Sequence, residues 1–176
     1  MPTGNTPRHA YLIAAHNKPK QLVTLLRLLD DPQNDIYIHI DRKAAGFSEA
    51  ALRAAAPDSR VVFVPRRDAR WGDEVFIDVI VSLLALAAEE EHAFYHLLSG
   101  VDLPLKSQRE VHAFFEANAG KEFVAFDRAA VDPAMLYDRI GRIHMRQPVR
   151  PLAQKLFRRI NPAWLKLQKR LGVDRT

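Results

Sequence analysis

The stretch of sequence that decides the fold is Tyr95-His96-Leu97-Leu98-Ser99-Gly100-Val101-Asp102-Leu103-Pro104-Leu105. Its first half has the composition of a buried β-strand, which ends at Ser99-Gly100. Glycine allows the backbone to approach a neighbour closely, and Pro104 stiffens the loop that presents Asp102. Two interpretations of Asp102 are equally favoured by these residues: it borders a ligand beyond the strand, or it only caps its own turn.

Strand-like and helix-like segments alternate on both sides of this stretch. Strands are predicted at 10–15, 35–41, 61–64, 93–98 and 122–126. Helices are predicted from Pro19 to residue 29, from Ser48 to 56, from Asp73 to about 91 and from Ser107 to about 119. Ser107 and Glu110 have the spacing of a capping box, and the helix after Asp73 is apolar nearly all round, which predicts that it is buried. The alternation predicts an α/β fold, a mostly parallel sheet with helices on both faces.

Ligands of such sheets bind beyond the carboxyl ends of the strands. The candidate residues there are His16, Asp41, the stretch around Trp71, and Gly100 with Asp102. Each also has a structural interpretation. A lone histidine such as His16 or His39 is more often structural, the turn that begins at Asp41 can be a solvated, self-paired one, and a lone tryptophan is usually a core residue.

Composition excludes several classes of protein. The 176 residues contain no cysteine, which rules out disulfides, thiolate metal sites and cysteine nucleophiles. Residues 1–8 lack the apolar run of a signal peptide or membrane span, so we expect a cytoplasmic protein, with peripheral attachment to the inner face of the membrane as an option. Phosphate-loop, dinucleotide, zinc-hydrolase and nucleophile-elbow motifs are absent, and so is any Asp-x-Asp pair for a divalent ion.

The positive charge is concentrated in the C-terminal segment. Of 26 Lys and Arg residues, eleven lie from Arg139 onward, together with only one of the 21 acidic residues. Residues 146–176 have the pattern of a basic amphipathic segment, which Asn161-Pro162 is predicted to split into two helices. Its apolar stripe through residues 151–171 can lie on an anionic membrane surface or, the option we favour here, pack on another part of the domain. No nucleic-acid-binding fold signature is present, so no nucleic-acid partner is expected.

Four blocks together resemble the core-2/I-branching β-1,6-N-acetylglucosaminyltransferase family, which includes the peptide O-xylosyltransferases. They lie at 9–16, 38–43, 71–72 and 95–106, and the resemblance covers roughly residues 9–145. It implies a nucleotide-sugar-binding core of the GT-A type at residues 1–145, the N-terminal half of such a domain. It also implies transfer of a sugar, N-acetylglucosamine or xylose, from a UDP donor to a glycan hydroxyl with inversion, without a metal ion or cofactor.

The resemblance also assigns expected roles to individual residues. His16 and Asp41 are expected to line the uridine site, and Asp102 with its loop, which includes Gly100, to border the donor sugar. Trp71 is also expected to bind the donor, by stacking on a ring or on a sugar face. The expected contacts of the acceptor sugar, three residues further along the chain, are Glu122, Arg139 and Arg142.

The sequence departs from the family at the catalytic step. In the family the Glu that deprotonates the acceptor follows a Gly-Ser-x-Trp block, and this sequence contains no such block. An inverting transfer needs a general base beside the attacking hydroxyl, so we expect this chain to bind donor weakly and to turn over poorly or not at all. Whether it is a fragment or a natural short form is open. The alternative function is a non-catalytic module that binds a nucleotide or a membrane surface.

Overall fold

A computed structural model describes residues 8–69, 74–121 and 151–173, and positions 123, 132, 137 and 141–143 between them. Contacts divide the chain into two compact units, Met1–Lys121 and Glu122–Thr176. The division after residue 145 that the sequence suggested stays a prediction.

The first unit is built on a parallel sheet. Its strands are β1 (His9–Ala15), β2 (Asn34–Ile40), β3 (Arg60–Phe63) and β4 (Phe94–Ser99), in the order β3-β2-β1-β4. All the pairings are parallel, which confirms the predicted α/β class. The predicted strand at 122–126 lies, except for Phe123, outside the described residues.

Helices cover both faces of the sheet because β1 and β2 are apolar on both faces. On one face, Tyr11 and Ile13 pack against the leucines of α1 (Pro19–Leu29) and against α2 (Glu49–Ala55). Tyr11 also donates a hydrogen bond to Gln108 of α4 (Gln108–Ala117) on that face. On the other face, Ala10 and Leu12 pack against α3 (Glu74–Ala87). The two core clusters therefore lie on opposite faces of the inner strands β1 and β2.

The predicted starts of three helices are confirmed. Pro19 occupies the first turn of α1, where the missing N–H costs nothing. The Ser48 hydroxyl accepts a hydrogen bond from the Ala51 N–H and caps α2. Ser107 and Glu110 form both hydrogen bonds of a capping box, and α4 begins at Gln108. Local side-chain chemistry fixes these boundaries.

Helix α3 differs from the prediction in length and in burial. It ends at Ala87 instead of continuing to about residue 91, because three consecutive glutamates, 89–91, are unfavourable at the negative end of a helix dipole. Only Val79, Leu83 and Ala87 are buried, one helical stripe facing the sheet. Ile77 is 63% exposed, so the prediction that α3 is buried all round is wrong.

The predicted break at Asn161-Pro162 is also wrong. One helix, α5 (Pro151–Arg170), runs through Pro162, and Asn161 does not cap: its buried Oδ1 accepts no hydrogen bond from the described residues. The lost backbone bond of Pro162 is offset by tertiary contacts, since Trp164 and Gln168 both donate to the carbonyl oxygen of Ile143. Within the described ranges, no helix is both long and apolar enough to cross a membrane.

A buried ion-pair network lies at the amino end of β2. Asp35 is completely buried and accepts hydrogen bonds from Arg8 (Nε to Oδ2, 2.9 Å) and from His92 (Nε2 to Oδ2, 2.8 Å). Burial raises the pKa of Asp35, but the hydrogen bonds and charges of Arg8 and His92 outweigh it and hold the pKa below its ordinary value. The network anchors the segments before β1 and after α3 to β2.

Three histidines form a second polar cluster, under α4. The Nδ1 of His9 and the Nε2 of His96 are 2.9 Å apart, and the ring of His112 lies 4.5 Å from that of His9. Burial lowers the pKa of His9 to about 3, with added repulsion from His112 and His96. It lowers the pKa of His96 to about 4. The cluster is therefore neutral when the protein is folded at neutral pH.

We predict that Asp35→Asn lowers the free energy of unfolding by about 2 kcal/mol, because the buried carboxylate loses its charge-assisted hydrogen bonds with His92 and with Arg8, whose side chain is partly exposed. Urea denaturation at neutral pH measures the change. The matched control is Glu90→Gln, which removes the carboxylate partner of Arg60 in a pair that is nearly half exposed on both sides; its cost is expected to stay below about 1 kcal/mol. Equal effects of the two substitutions would contradict the assignment.

The histidine cluster predicts a loss of stability in mild acid. The unfolded chain takes up protons on these histidines below about pH 6.5, whereas folded His9 and His96 do so only near their lowered pKa values. The urea midpoint should therefore fall between about pH 7 and about pH 4, before the Asp35 contribution is lost at lower pH. A midpoint that stays constant over this interval would refute the prediction.

Candidate functional site

A cavity opens at the carboxyl ends of β1 and β2, the edge where parallel sheets bind ligands. Its volume is about 270 Å³, close to the lower limit of about 300 Å³ for small-molecule sites. The residues that line it are Ala14, Ala15, His16, His39, Asp41, Lys43, Ala44, Ala69 and Phe76. Two of the residues predicted from strand ends, His16 and Asp41, are thus brought together.

Asp41 is fixed at the cavity wall by backbone hydrogen bonds. Its Oδ1 accepts from the N–H of Lys43 at 2.7 Å, and its Oδ2 accepts from the N–H of Ala69 at 2.9 Å. The carboxylate is buried and ties the loop after β2 to the segment after β3. The turn that begins at Asp41 is self-paired, as the structural interpretation has it, but the Asp41 carboxylate in it is buried and not solvated. Each carboxylate oxygen can accept more than one hydrogen bond, so Asp41 keeps acceptor capacity for a ligand.

His39 has a structural role beside Asp41. Its Nε2 accepts a hydrogen bond from the N–H of Arg67 at 3.0 Å, and the ring is buried. Burial lowers the pKa of His39; the Asp41 charge opposes this, and the charges of Arg67 and Arg66 add to it. A neutral ring can accept at Nε2 while its other nitrogen carries the proton. The geometry agrees with the structural interpretation of this histidine.

His16 is an exposed polar group of the cavity. It follows the last residue of β1, and its Nε2 lies 3.0 Å from the side-chain nitrogen of Asn17. Because the imidazole is exposed and its hydrogen-bond partner is Asn17 rather than a core residue, it can bind a ligand without the loss of a contact that stabilises the fold. His16 can therefore donate or accept a hydrogen bond at the cavity, and Asp41 can accept one from a fixed position.

The sequence did not single out Lys43, Ala44, Ala69 or Phe76. Lys43 forms an ion pair with Asp68, and four alanines keep the other walls small enough to leave space. Phe76 lies in the first turn of α3 and is the only aromatic residue of that helix. Its position could have identified Phe76 from the sequence. An aromatic ring at the start of a helix, beside the loop that follows a strand, offers a flat surface to a planar ligand.

The loop after β4 is held by its own hydrogen bonds. The Oδ2 of Asp102 accepts from the N–H of Ser99 at 2.7 Å, and the N–H of Asp102 donates to the carbonyl oxygen of Ser99 at 3.0 Å. Asp102 is exposed and is not among the residues that line the cavity. The turn-capping interpretation thus accounts for the geometry of Asp102, and contact with a donor sugar stays a prediction.

Gly100 is needed because two strands approach each other closely. A Cβ atom at this position would lie 2.7 Å from the Cβ of Ala15, closer than real Cβ atoms come, and 3.0 Å from its Cα, a very tight contact. The N–H of Gly100 donates to the carbonyl oxygen of Ala14 at 2.9 Å. The close approach that requires glycine is therefore to the cavity-lining end of β1, and a contact with a ligand stays a prediction.

Of the other predicted site residues, Trp71, Glu122 and Arg139 lie outside the described residues. Arg142 is buried in the second unit, where it donates to the carbonyl oxygen of Val173 at 2.9 Å and lies 5.0 Å above the ring of Tyr137. These contacts give Arg142 a packing role. Its expected contact with an acceptor sugar stays a prediction.

Within the described ranges, no group of three or more His, Asp or Glu side chains is arranged to hold a metal ion. The described side chains that line the cavity instead offer hydrogen bonds and the positive charge of Lys43. Metal independence stays a prediction that a chelator can test.

Two comparisons with known proteins bear on the site. A family model described as Core-2/I-Branching enzyme matches residues 9–170, most of the chain. Xylosyltransferase 2 of Mus musculus is 27% identical over 131 residues, which are 70% of this chain and 15% of that protein. The chain thus spans about 15% of the length of this relative. The matched family agrees with the resemblance that the four sequence blocks indicated.

We predict that Gly100→Ala destabilises the protein by about 1 to 3 kcal/mol, the usual cost of forcing an extra methyl group into packed atoms. Thermal or urea unfolding measures this cost. The double variant Ala15→Gly/Gly100→Ala removes the nearer of the two clashing atoms and should recover part of the loss. If Gly100→Ala is as stable as the parent protein, the close approach of β1 and β4 is not the reason for glycine.

Proposed function

Since the chain belongs to the Core-2/I-branching enzyme family, we propose that it forms the donor-binding part of a glycosyltransferase. The proposed reaction is an inverting, metal-independent transfer of N-acetylglucosamine or xylose from a UDP donor to a glycan hydroxyl. The observation that carries the proposal is the cavity at the ends of β1 and β2, where the fixed carboxylate of Asp41 and the exposed ring of His16 face one space.

The chemistry of the cavity suits the nucleoside end of such a donor. A fixed carboxylate accepts hydrogen bonds from a base N–H or from ribose hydroxyls, as acidic residues do at the ends of parallel strands. The ring of Phe76 offers a flat apolar surface to the base, and His16 and Lys43 can donate to oxygens of the nucleotide. Three types of contact from three different segments would then recognise one uridine-like ligand.

In the proposed transfer the acceptor oxygen attacks the anomeric carbon of the donor. A new C–O bond forms while the bond from that carbon to the UDP phosphate oxygen breaks, UDP leaves with the bonding pair, and the acceptor proton passes to a general base. Among the described residues that line the cavity, Asp41 is the only carboxylate, and backbone N–H groups already occupy both of its oxygens. No base is therefore assigned among the described residues that line the cavity.

We infer that this chain, by itself, binds the donor weakly and turns it over slowly or not at all. The second candidate, a non-catalytic nucleotide-binding module, is favoured by the same observation, because Asp41 is engaged in holding loops together. The two are separated by incubating the chain with labelled UDP-sugars and candidate glycans. UDP release that depends on the acceptor indicates a transferase, and saturable binding without release indicates a module.

We predict saturable binding of UDP in calorimetric titration, with the same affinity in the presence of EDTA. Unlike a metal bridge, the hydrogen-bonding groups of the cavity need no divalent ion. Loss of the heat of UDP binding in the presence of EDTA would contradict metal independence. The absence of binding at millimolar UDP would overturn the proposed function.

His16→Ala should weaken UDP binding about five- to tenfold, since one hydrogen bond is worth roughly 1 kcal/mol. The unfolding midpoint should not change, because this side chain is exposed and contacts Asn17 rather than the core. Arg27→Ala, an exposed substitution in the last turn of α1, serves as the matched control. If both variants bind UDP like the parent protein, His16 is not part of the site.

A further inference from the structure

Helix α5 carries an exposed apolar stripe that no described residue covers. Leu156, Ile160 and Leu167 lie in α5, and Leu171 directly follows its last residue, with its N–H bonded to the carbonyl oxygen of Leu167. Their spacing of four, seven and four residues places them on one side of the helix. All four are large and exposed, from 45% for Ile160 and Leu167 to 68% for Leu171. At 1.5 Å per residue the stripe is roughly 20 Å long. Contiguous apolar surface of this kind marks an interaction site.

One flank of the stripe, that of Trp164 and Gln168, is already used for packing within the second unit. Trp164 donates to the carbonyl oxygen of Ile143 at 3.0 Å, and the buried side chain of Gln168 bonds both the N–H and the carbonyl oxygen of the same residue. These bonds fix the rotation of α5 about its axis. The stripe therefore stays exposed, because burying it within the second unit would require α5 to rotate and to break these hydrogen bonds.

The charged residues of α5 itself are all positive. Helical spacing places Arg159 and Arg170 along the edge of the stripe that faces away from Trp164, with Lys155 and Lys166 next to them. These four side chains and those of Arg158 and Lys169 are exposed, and residues 151–170 contain no Asp or Glu. A partner that fits this helix must offer an apolar region into which the stripe can be buried and negative charges for the flanking Lys and Arg residues.

We propose that α5 lies on an anionic membrane surface, with Leu156, Ile160, Leu167 and Leu171 inserted among the lipid chains and the flanking Arg and Lys residues bound to lipid phosphates. A helix with an apolar face, a Lys- and Arg-rich polar face and little overall hydrophobicity lies in the plane of a bilayer interface. Long basic side chains keep their charge among the headgroups while their stems cover apolar surface. Negative lipid headgroups supply the complementary charge.

This interaction surface does not depend on the proposed transferase activity. The contacts that define it lie within residues 141–173, whereas the cavity is lined by residues 14–76. A glycan-modifying protein held at a membrane would meet acceptors that are attached to lipids. The binding of α5 to the membrane, however, requires no acceptor. UDP titration of each variant therefore reports on the donor site separately.

The test is flotation of the whole chain with vesicles of phosphatidylcholine alone or of an equal mixture of phosphatidylcholine and phosphatidylglycerol. We expect flotation only with the mixture, and release at high salt. The triple variant Arg159→Gln/Lys166→Gln/Arg170→Gln should bind on the order of a hundredfold more weakly, because each basic residue near an anionic surface contributes about a factor of five. The control Lys20→Gln/Arg27→Gln/Lys121→Gln removes the same charge from exposed positions of the first unit and should float like the parent protein.

A second variant separates insertion from simple charge attraction. Leu156→Gln/Ile160→Gln/Leu167→Gln keeps helix-forming residues and every charge, and we expect it to lose flotation while retaining its circular dichroism and UDP titration. Flotation that is unaffected by either triple variant would overturn the proposal. So would a concentration-dependent dimer that depends on these residues without lipid, or binding to nucleic acid in place of vesicles.

Discussion

Strand β1 is the constraint on which the first unit depends, because it is hydrogen-bonded on both sides and buried on both faces. It pairs along its length with β2 and with β4, and its alternating side chains belong to two different core clusters. A slip of one residue would move each set of side chains to the wrong cluster. The same register brings Ala15 against Gly100 and places His16 at the mouth of the cavity.

The polar groups at the two ends of the sheet have different tasks. At the amino end, Asp35 and His9 belong to buried networks that hold neighbouring segments together, and their altered pKa values follow from burial and from those partners. At the carboxyl end, His16 and Asp41 border open space. Altered pKa values often mark functional sites, but here the largest changes belong to buried residues outside the cavity, among them His9 and Tyr11, and the cavity is distinguished by geometry instead.

The sequence could predict features that depend on neighbouring residues along the chain. The apolar run of β1, the capping box of Ser107 and Glu110, and the strand-helix alternation are local patterns, and the structure confirms each of them. It could also place His16 and Asp41 at the same edge of the sheet, since the ends of parallel strands meet there.

Features that depend on distant contacts could not be predicted in this way. Helix α5 continues through Pro162 because Ile143, far away in sequence, binds its later turns. Phe76 reaches the cavity only once α3 has packed on β1 and β2. The sequence favours two roles of Asp102 equally: bordering a ligand and capping its own turn. The hydrogen bond from the Ser99 N–H accounts for the capping role and leaves contact with a ligand as a prediction.

The central claim is that the cavity at the ends of β1 and β2 binds the nucleotide of a sugar donor. The most direct test is nuclear magnetic resonance of the labelled chain during titration with UDP, in which the amide signals report the site residue by residue. The account predicts saturable shifts at Ala14 to His16, Asp41 to Ala44, Ala69 and Phe76, with no shifts along α5. Shifts confined to other residues, or none at saturating UDP, would contradict it.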